Sequence, residues 1–312
     1  MQNLIDALIP EIEYLMPQQH FRALSVGVID FKSNQWKALE YLNGSYQSPH
    51  CFFDLASLTK PLTLAFSVLK HPEIWNKKQL AWLLNHRASM PIGGRLSKQN
   101  WREDISRFIP VISDIDVYSD YSALRLQLEI EKLYNSALYD HCSPMWHSEV
   151  VSWLDMNSEQ KRLAQPTGYR QGHQIIGEVH DDNAFYLAEK LSHAGLFGSI
   201  QGVCETLLKC NTEYQLLSRM ERAFDDGEAE DRRFVRGWDT ISDQQKTLAG
   251  EGASHMTFGH LGFTGTSIWV DVKKLTGHVI LSNATENYWY DKTGLNQIRR
   301  RLGEIIWSHG LN

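Results

Sequence analysis

The feature that most constrains this chain is that its strand-like segments lie at its two ends. RALSVGVID (22–30) and WKALEYL (36–42) read as strands joined across the polar turn Lys32-Ser33-Asn34. TSIWVDV (266–272) and HVILS (278–282) make a second pair, with Lys273, Lys274 and Gly277 between them. Between the pairs, apolar positions mostly recur at helical spacing, at 57–70, 79–86, 121–134, 146–154, 182–191 and 200–210. Helical spacing returns at 295–307. Strands at both ends predict an α+β fold with one sheet built from both termini and the middle of the chain as a helical insert. Leu4, Ile5, Leu8, Ile9, Ile12 and Leu15 predict an amphipathic helix at the start, with a break or kink at Pro10. DDGEAEDRR (225–233) reads as a solvated loop.

Composition excludes several function classes. The chain has 312 residues, 42% hydrophobic and 22% charged, within the globular range and long enough for one large domain or a core with an insert. A net charge of −6 gives no basic field, and no nucleic-acid partner is expected. The triplet Arg299-Arg300-Arg301 reads as the solvated face of a terminal helix. No run approaches about 18 apolar residues, so no membrane span is expected. The N-terminus carries Asp6, Glu11 and Glu13 and no basic stretch, unlike a secretory signal. Cys51, Cys142, Cys204 and Cys210 make no CxxC pair or disulfide framework, and free thiols without a leader point to the cytoplasm. GEGASH (250–255) lacks GxGxxG spacing and GxxxxGK[ST] is absent. His173, His180, His193 and Asp181 match no zinc spacing. Neither a metal nor a cofactor is expected.

The segment FDLASLTKPL (53–62) carries the chemistry. Residues three apart on a helix share a face, which puts Lys60 beside the Ser57 hydroxyl. Pro61 is tolerable only near a helix start, which fixes that start close to Ser57. The free N–H groups and partial positive charge there would stabilise an alkoxide and the oxyanion formed by its attack. Partial burial would lower the amine's pKa enough for it to accept the serine proton. A serine N-cap with a nearby lysine is the ordinary alternative for the tetrapeptide taken alone.

Further segments add weight. Tyr118-Ser119-Asp120 precedes a helical pattern, and His260-Leu261-Gly262 precedes a strong strand. With LLNHRASMP (83–91), VHDDNA (179–184), SHAGLF (192–197) and GWD (237–239), in this order, the chain resembles the serine β-lactamase and penicillin-recognising family, in its class C and esterase-like branch. The resemblance runs from about residue 20 to the C-terminus.

The resemblance implies a β-lactamase/penicillin-binding transpeptidase-like fold: an antiparallel five-stranded sheet flanked by helices, with a helical subdomain. The chain would be a single domain, 1–312, with its sheet part in about 1–56 and 255–312 and its helical part in about 57–254. Ser57 would be the acylated nucleophile, with Lys60 and Tyr118 sharing the handling of its proton and His260 in the third catalytic position. The backbone N–H groups of Ser57 and Phe263 would form the oxyanion hole. Asp120, Leu261, Gly262 and His180 would face the substrate, Gly262 by letting it approach the strand. His260 stands where a lysine is usual and can be charged or neutral near pH 7. Leu261 lacks the hydroxyl that helps hold a substrate carboxylate, and Asp120 stands where asparagine is usual. Both departures favour a small ester or amide, including a peptide or cell-wall-derived one, as the acyl substrate. The alternatives are D,D-peptidase or β-lactamase activity and a catalytically silent binding or regulatory relative.

Overall fold

The computed structural model describes residues 1–241 and 247–310. Its main sheet contains β1 (Ala23–Asp30), β2 (Gln35–Leu42), β3 (Ser45–Gln47), β4 (Phe234–Val235), β5 (Trp238–Thr240), β6 (Thr257–Leu261), β7 (Ser267–Asp271) and β8 (Thr276–Ser282). The order is β3-β2-β1-β8-β7-β6-β5-β4, antiparallel throughout. The two terminal hairpins meet where β1 pairs with β8, from Leu24 opposite Ser282 to Asp30 opposite Thr276.

The sheet has eight strands, not five. The four strands read from the sequence, β1, β2, β7 and β8, lie at its centre, β6 joins them beside β7, and short strands extend both edges. Two-residue turns with positive φ create the additions. Asn43 (φ 52°) and Gly44 (φ 89°) fold β3 back onto β2, and Arg236 (φ 53°) and Gly237 (φ 85°) fold β5 back onto β4. Such turns match the natural twist of a hairpin.

Helices cover both faces. The first helix, α1 (Gln2–Leu15), and the last, α4 (Thr293–His309), lie on one face, where Leu8, Ile12, Ile298 and Leu302 pack with Leu24, Val26 and Val28 of β1. Helix α3 (Ile200–Tyr214) lies on the other, where Ile200 and Val203 join Ala23 and Ile29. A Cβ on Gly27 would stand 2.6 Å from the Cys204 sulfur, so the absent side chain lets α3 close on the sheet. Pro10 does not break α1, which runs unbroken through it. Among the described residues no helix is long and apolar enough to cross a membrane.

The expected helix at 146–154 is instead a strand, Val150–Ser152. It joins Leu196–Gly198 and Phe53–Asp54 in a three-stranded sheet. Valine pairs fit a pleated surface, and tertiary pairing decides the state of so short a segment. This small sheet anchors the residues that lead into Ser57.

Candidate active site

The chain enters the site under constraint. Asp54 is fully buried, and its carboxylate accepts the Ala56 N–H at 2.8 Å and the His180 N–H at 2.6 Å. Ala56 has φ 47°, a left-handed conformation unfavourable for a residue with a Cβ. That turn starts a short 3₁₀ segment, Ala56–Leu58, followed by a π-turn over Pro61–Ala65 and an α-helical turn over Phe66–Lys70. Pro61 has no N–H to give, which suits the irregular start. The expected helix is therefore present as three consecutive helical forms.

Ser57 is half-buried, and Lys60 donates to its hydroxyl at 3.0 Å. Lys60 is buried and has two further partners, the Asp120 carboxylate at 2.7 Å and the His193 carbonyl at 3.0 Å. Its ammonium also lies 4.9 Å from the centre of the Tyr118 ring. Burial by itself would lower the Lys60 pKa. Asp120, followed by Tyr118, outweighs it and holds the amine above its ordinary value. This reverses the lowered amine expected from the sequence, because the carboxylate that pairs with it lies sixty residues away. Burial would raise Asp120, but the Lys60 and His193 charges bring its carboxyl below the usual range.

Three of the four accompanying segments are supports of this cluster, while GWD lies in the edge hairpin of the main sheet. The His86 ring nitrogen Nδ1 accepts the Ser119 N–H at 3.2 Å, and the His86 carbonyl accepts the Val117 N–H at 2.9 Å. Its ring lies 4.8 Å from that of Tyr118. LLNHRASMP thus braces the Tyr118 loop. Ser119 then caps α2 (Asp120–Tyr134) by accepting the Ser122 N–H, which fixes Asp120 in the first turn. Asp181 caps the short helix Asp182–Leu187 and also bonds the His193 ring at 3.0 Å. VHDDNA and SHAGLF are therefore tied together behind the carbonyl that Lys60 uses.

On the other side, His260 is buried in β6 with its Nδ1 at 2.9 Å from the Leu261 carbonyl. Nδ1 therefore carries the proton, leaving Nε2 as an acceptor. Burial, then Lys60, pushes its pKa down to about 3, so the ring is neutral. The Tyr118 and His260 rings lie 5.8 Å apart.

Phe263 sits in the tight turn that joins β6 to β7, closed by the Gly262 N–H to the Thr266 carbonyl at 2.7 Å. The turn is stitched to the serine segment. Thr264 donates to the Asp54 carbonyl at 2.6 Å and Thr266 to the Leu55 carbonyl at 3.0 Å. A Cβ on Gly262 would fall 1.9 Å from the Thr266 hydroxyl and 2.7 Å from the Leu55 carbonyl. Glycine here is required by the protein's own backbone, where the sequence suggested substrate approach. The His180 ring lies tilted against Phe263, with ring centres 5.4 Å apart. Burial followed by Arg170 lowers the His180 pKa.

The structure thus gathers Ser57, Lys60, Tyr118, Asp120 and His260 around one ammonium, with Leu261, Gly262, Phe263 and His180 along the adjoining turn. Sequence reasoning missed Arg299, which is not solvated. It is buried under the turn and donates to the Thr266 carbonyl at 2.7 Å. Its spacing from Leu295 and Leu302 already put it on the apolar face of α4. Among the described residues, the group whose ligand atoms could surround a metal is Glu40, His50 and Cys51, within 4.8 Å of one another. Glu40 already accepts from Ser25, Gln47 and the N–H groups of His50 and Cys51, which accounts for it as a loop anchor.

No family model matches the chain. Among curated proteins, a "Putative D-alanyl-D-alanine carboxypeptidase" of Escherichia coli (strain K12) is 36% identical over 117 residues, covering 35% of this chain and 27% of that protein. The N-acetylmuramyl-L-alanine amidase of Bacillus subtilis (strain 168) is 32% identical over 117 residues, covering 35% of this chain and 26% of that protein. The chain thus aligns with about a quarter of the length of these relatives. Among solved structures, a class C β-lactamase from Rhodobacter sphaeroides superposes with a TM-score of 0.65 at 13% identity, over 97% of this chain and 99% of that one. A β-lactamase/D-alanine carboxypeptidase from Pseudomonas syringae gives a TM-score of 0.64 at 13% identity, over 99% and 98%.

Proposed function

For a chain built on the fold of the serine β-lactamases and penicillin-recognising proteins, we propose a serine hydrolase that works through an acyl-enzyme on Ser57. The observation that carries this is the 3.0 Å bond from the buried Lys60 ammonium to the Ser57 hydroxyl at an irregular helix start. A buried lysine paired to a carboxylate and aimed at a serine has a clear chemical use: it stabilises the alkoxide that attacks.

An ammonium cannot take the serine proton. Lys60 therefore serves as the electrostatic clamp, and we assign the proton to Tyr118, whose ring lies against the same ammonium. Ser57 attacks the acyl carbonyl, its proton passing to the Tyr118 oxygen as the phenol's own proton moves on toward the departing alcohol or amine. The carbonyl oxygen, now negative, is met by the backbone N–H groups of Ser57 and Phe263. The alcohol or amine departs with that proton, the acyl group stays on Ser57, and Tyr118 is again a phenol. Water repeats the sequence and releases the acid. His260, neutral and with its N–H held by Leu261, offers the substrate an acceptor.

The substrate class follows from the same charges. Asp120 is anionic, His260 is neutral, and Leu261 has no hydroxyl, so the cleft is poorly equipped to hold a substrate carboxylate. This favours a small ester or amide, with His180 and Leu261 along its path. The whole chain serves as one domain in this reading, with the sheet part and helical part meeting at Ser57. The names of the curated relatives favour a second reading, D,D-peptidase or β-lactamase chemistry on a peptide or cell-wall-derived amide.

Intact mass after incubation with a fluorophosphonate, a short p-nitrophenyl ester and a penicillin separates these. An adduct on Ser57 and ester turnover, both lost in Ser57→Ala, are expected. A lasting penicillin adduct would favour the second reading. A folded protein that forms no adduct with any of the three would sink the enzyme altogether.

A further inference from the structure

Beside the proposed oxyanion donor lies a row of exposed aromatic rings that the chemistry leaves unused. Phe263 is 46% exposed, Tyr288 50%, Trp289 58% and Tyr290 68%. Their ring centres follow one another from the cleft outward: His180 to Phe263 at 5.4 Å, Phe263 to Trp289 at 6.2 Å, Trp289 to Tyr290 at 5.8 Å, Tyr290 to Tyr288 at 6.2 Å and Tyr288 to His20 at 5.3 Å. Contiguous exposed aromatic surface is rare on a soluble face without a ligand.

The row is held in place. Asn287 donates to the His20 carbonyl at 2.6 Å, and the His20 ring meets the Asp291 carbonyl at 3.1 Å. Lys292 donates to the Phe263 carbonyl at 2.8 Å, and its ammonium lies 4.7 Å from the centre of the Phe263 ring. The loop from 287 to 292 is thereby bound to the same turn that supplies the proposed oxyanion donor.

We infer that this shelf binds a pyranose ring carried by the substrate, an assignment that deepens the hydrolase reading and rests on it for the position of the reacting bond. The C–H face of a sugar stacks on an aromatic face, while its hydroxyls need donors and acceptors at the edge. The shelf offers both, because Trp289, Tyr288 and Tyr290 each end in a polar group and Lys292, Asn287 and His20 border them. A hydrocarbon chain would leave those polar groups unmatched. Continuity through Phe263 places the sugar beside the turn that Thr264 and Thr266 bond to the segment leading into Ser57.

The test is calorimetric titration of chitotriose and of cellotriose into the full chain, into Ser57→Ala, and into Trp289→Ala and Tyr290→Ala, each first shown to melt cooperatively. Saturable binding of at least one sugar is expected in the wild type and in Ser57→Ala. The affinity should fall about tenfold in Trp289→Ala and less in Tyr290→Ala, in line with the loss of one good ring contact. No saturable binding of either sugar, or binding that survives both aromatic variants, would overturn the assignment. Acylation of Ser57 by a small ester without sugar binding would remove the shelf and leave the hydrolase. Sugar binding without acylation by any probe would keep the shelf and remove the hydrolase.

Discussion

Two walls meet at Ser57, and they are built on opposite electrostatic plans. The wall from α2 and residues 181–193 is ionic: Asp120 pairs with Lys60 at 2.7 Å, and Asp181 bonds the His193 ring at 3.0 Å. The wall from β6 is neutral, with His260 pushed down to about 3 and its one N–H bonded within the strand. Burial and one charge explain both. Burial is the larger reason that His260 stays neutral, with the Lys60 ammonium adding to it, while the same ammonium overcomes burial to hold Asp120 as a carboxylate. A buried site can keep one positive charge when a carboxylate neutralises it, and a second would lack a partner. The histidine at position 260 is therefore coupled to the aspartate at position 120 through Lys60.

Removing the shared charge should have the largest effect. Lys60→Met is expected to lower Ser57 acylation roughly 10²–10⁴-fold, the range for loss of a group that acts on the proton or the developing charge. It also strands Asp120, so the double variant with Asp120→Asn should melt higher than Lys60→Met alone while remaining inactive. A single variant that retained most of its acylation rate would show that the clamp is not Lys60.

Giving the neutral wall a charge comes next. His260→Lys places a second ammonium beside the first without a new carboxylate, at a cost of about 3–5 kcal/mol in chemical denaturation. His260→Gln, neutral and able to accept, should cost much less. Equal costs for the two would mean that shape, rather than charge, selects histidine.

Neutralising the ionic wall tests the coupling from the other side. In Asp120→Asn the largest upward pull on Lys60 disappears, and the lowering by burial is opposed by Tyr118. The limb of the pH–rate profile that reports Lys60 should move down by about 1–3 pH units. An unmoved profile would separate Asp120 from the reaction.

Why some of this was readable beforehand follows from where each signal resides. The central strands announce themselves because segments such as SVGVI and HVILS are rich in β-branched residues. The edge strands depended on two-residue turns, and the Asn43-Gly44 pair was a hairpin signal in plain sight. Arg236-Gly237 is weaker, since arginine seldom takes positive φ. Ser57, Lys60, Tyr118 and His260 could be proposed through the resemblance of their segments to a known family, because a serine with a lysine three residues on is by itself equally an N-cap. The third partner of Lys60 could not, because it is the carbonyl of His193, and a backbone carbonyl leaves no trace in residue type. The raised amine was missed for a related reason: a pKa depends on what the fold brings near, and the pattern SxxK does not contain Asp120.

The smallest effect should come from behind both walls. Asp54 is the buried carboxylate that holds the left-handed Ala56 turn, and burial pushes its pKa up to about 7, with the N–H groups of His180 and Ala56 holding it partly down. An unfolded aspartate titrates near 3.9. Between those values the folded protein binds more protons than the unfolded chain, so stability falls as pH rises from about 4 to about 7. The contribution is complete below the unfolded value and lost above the folded one. Asp54→Asn removes this titration, although its single carbonyl oxygen can satisfy the two N–H groups less well. Its stability should be lower at pH 4, and its decline from pH 4 to pH 7 shallower by roughly 1–2 kcal/mol, a fraction of the full shift because buried sites respond with an effective dielectric well above that of dry protein. Urea unfolding at each pH measures this directly. Parallel curves for the two proteins would show that Asp54 is ionised throughout, and that the turn before Ser57 rests on a carboxylate at every pH tested.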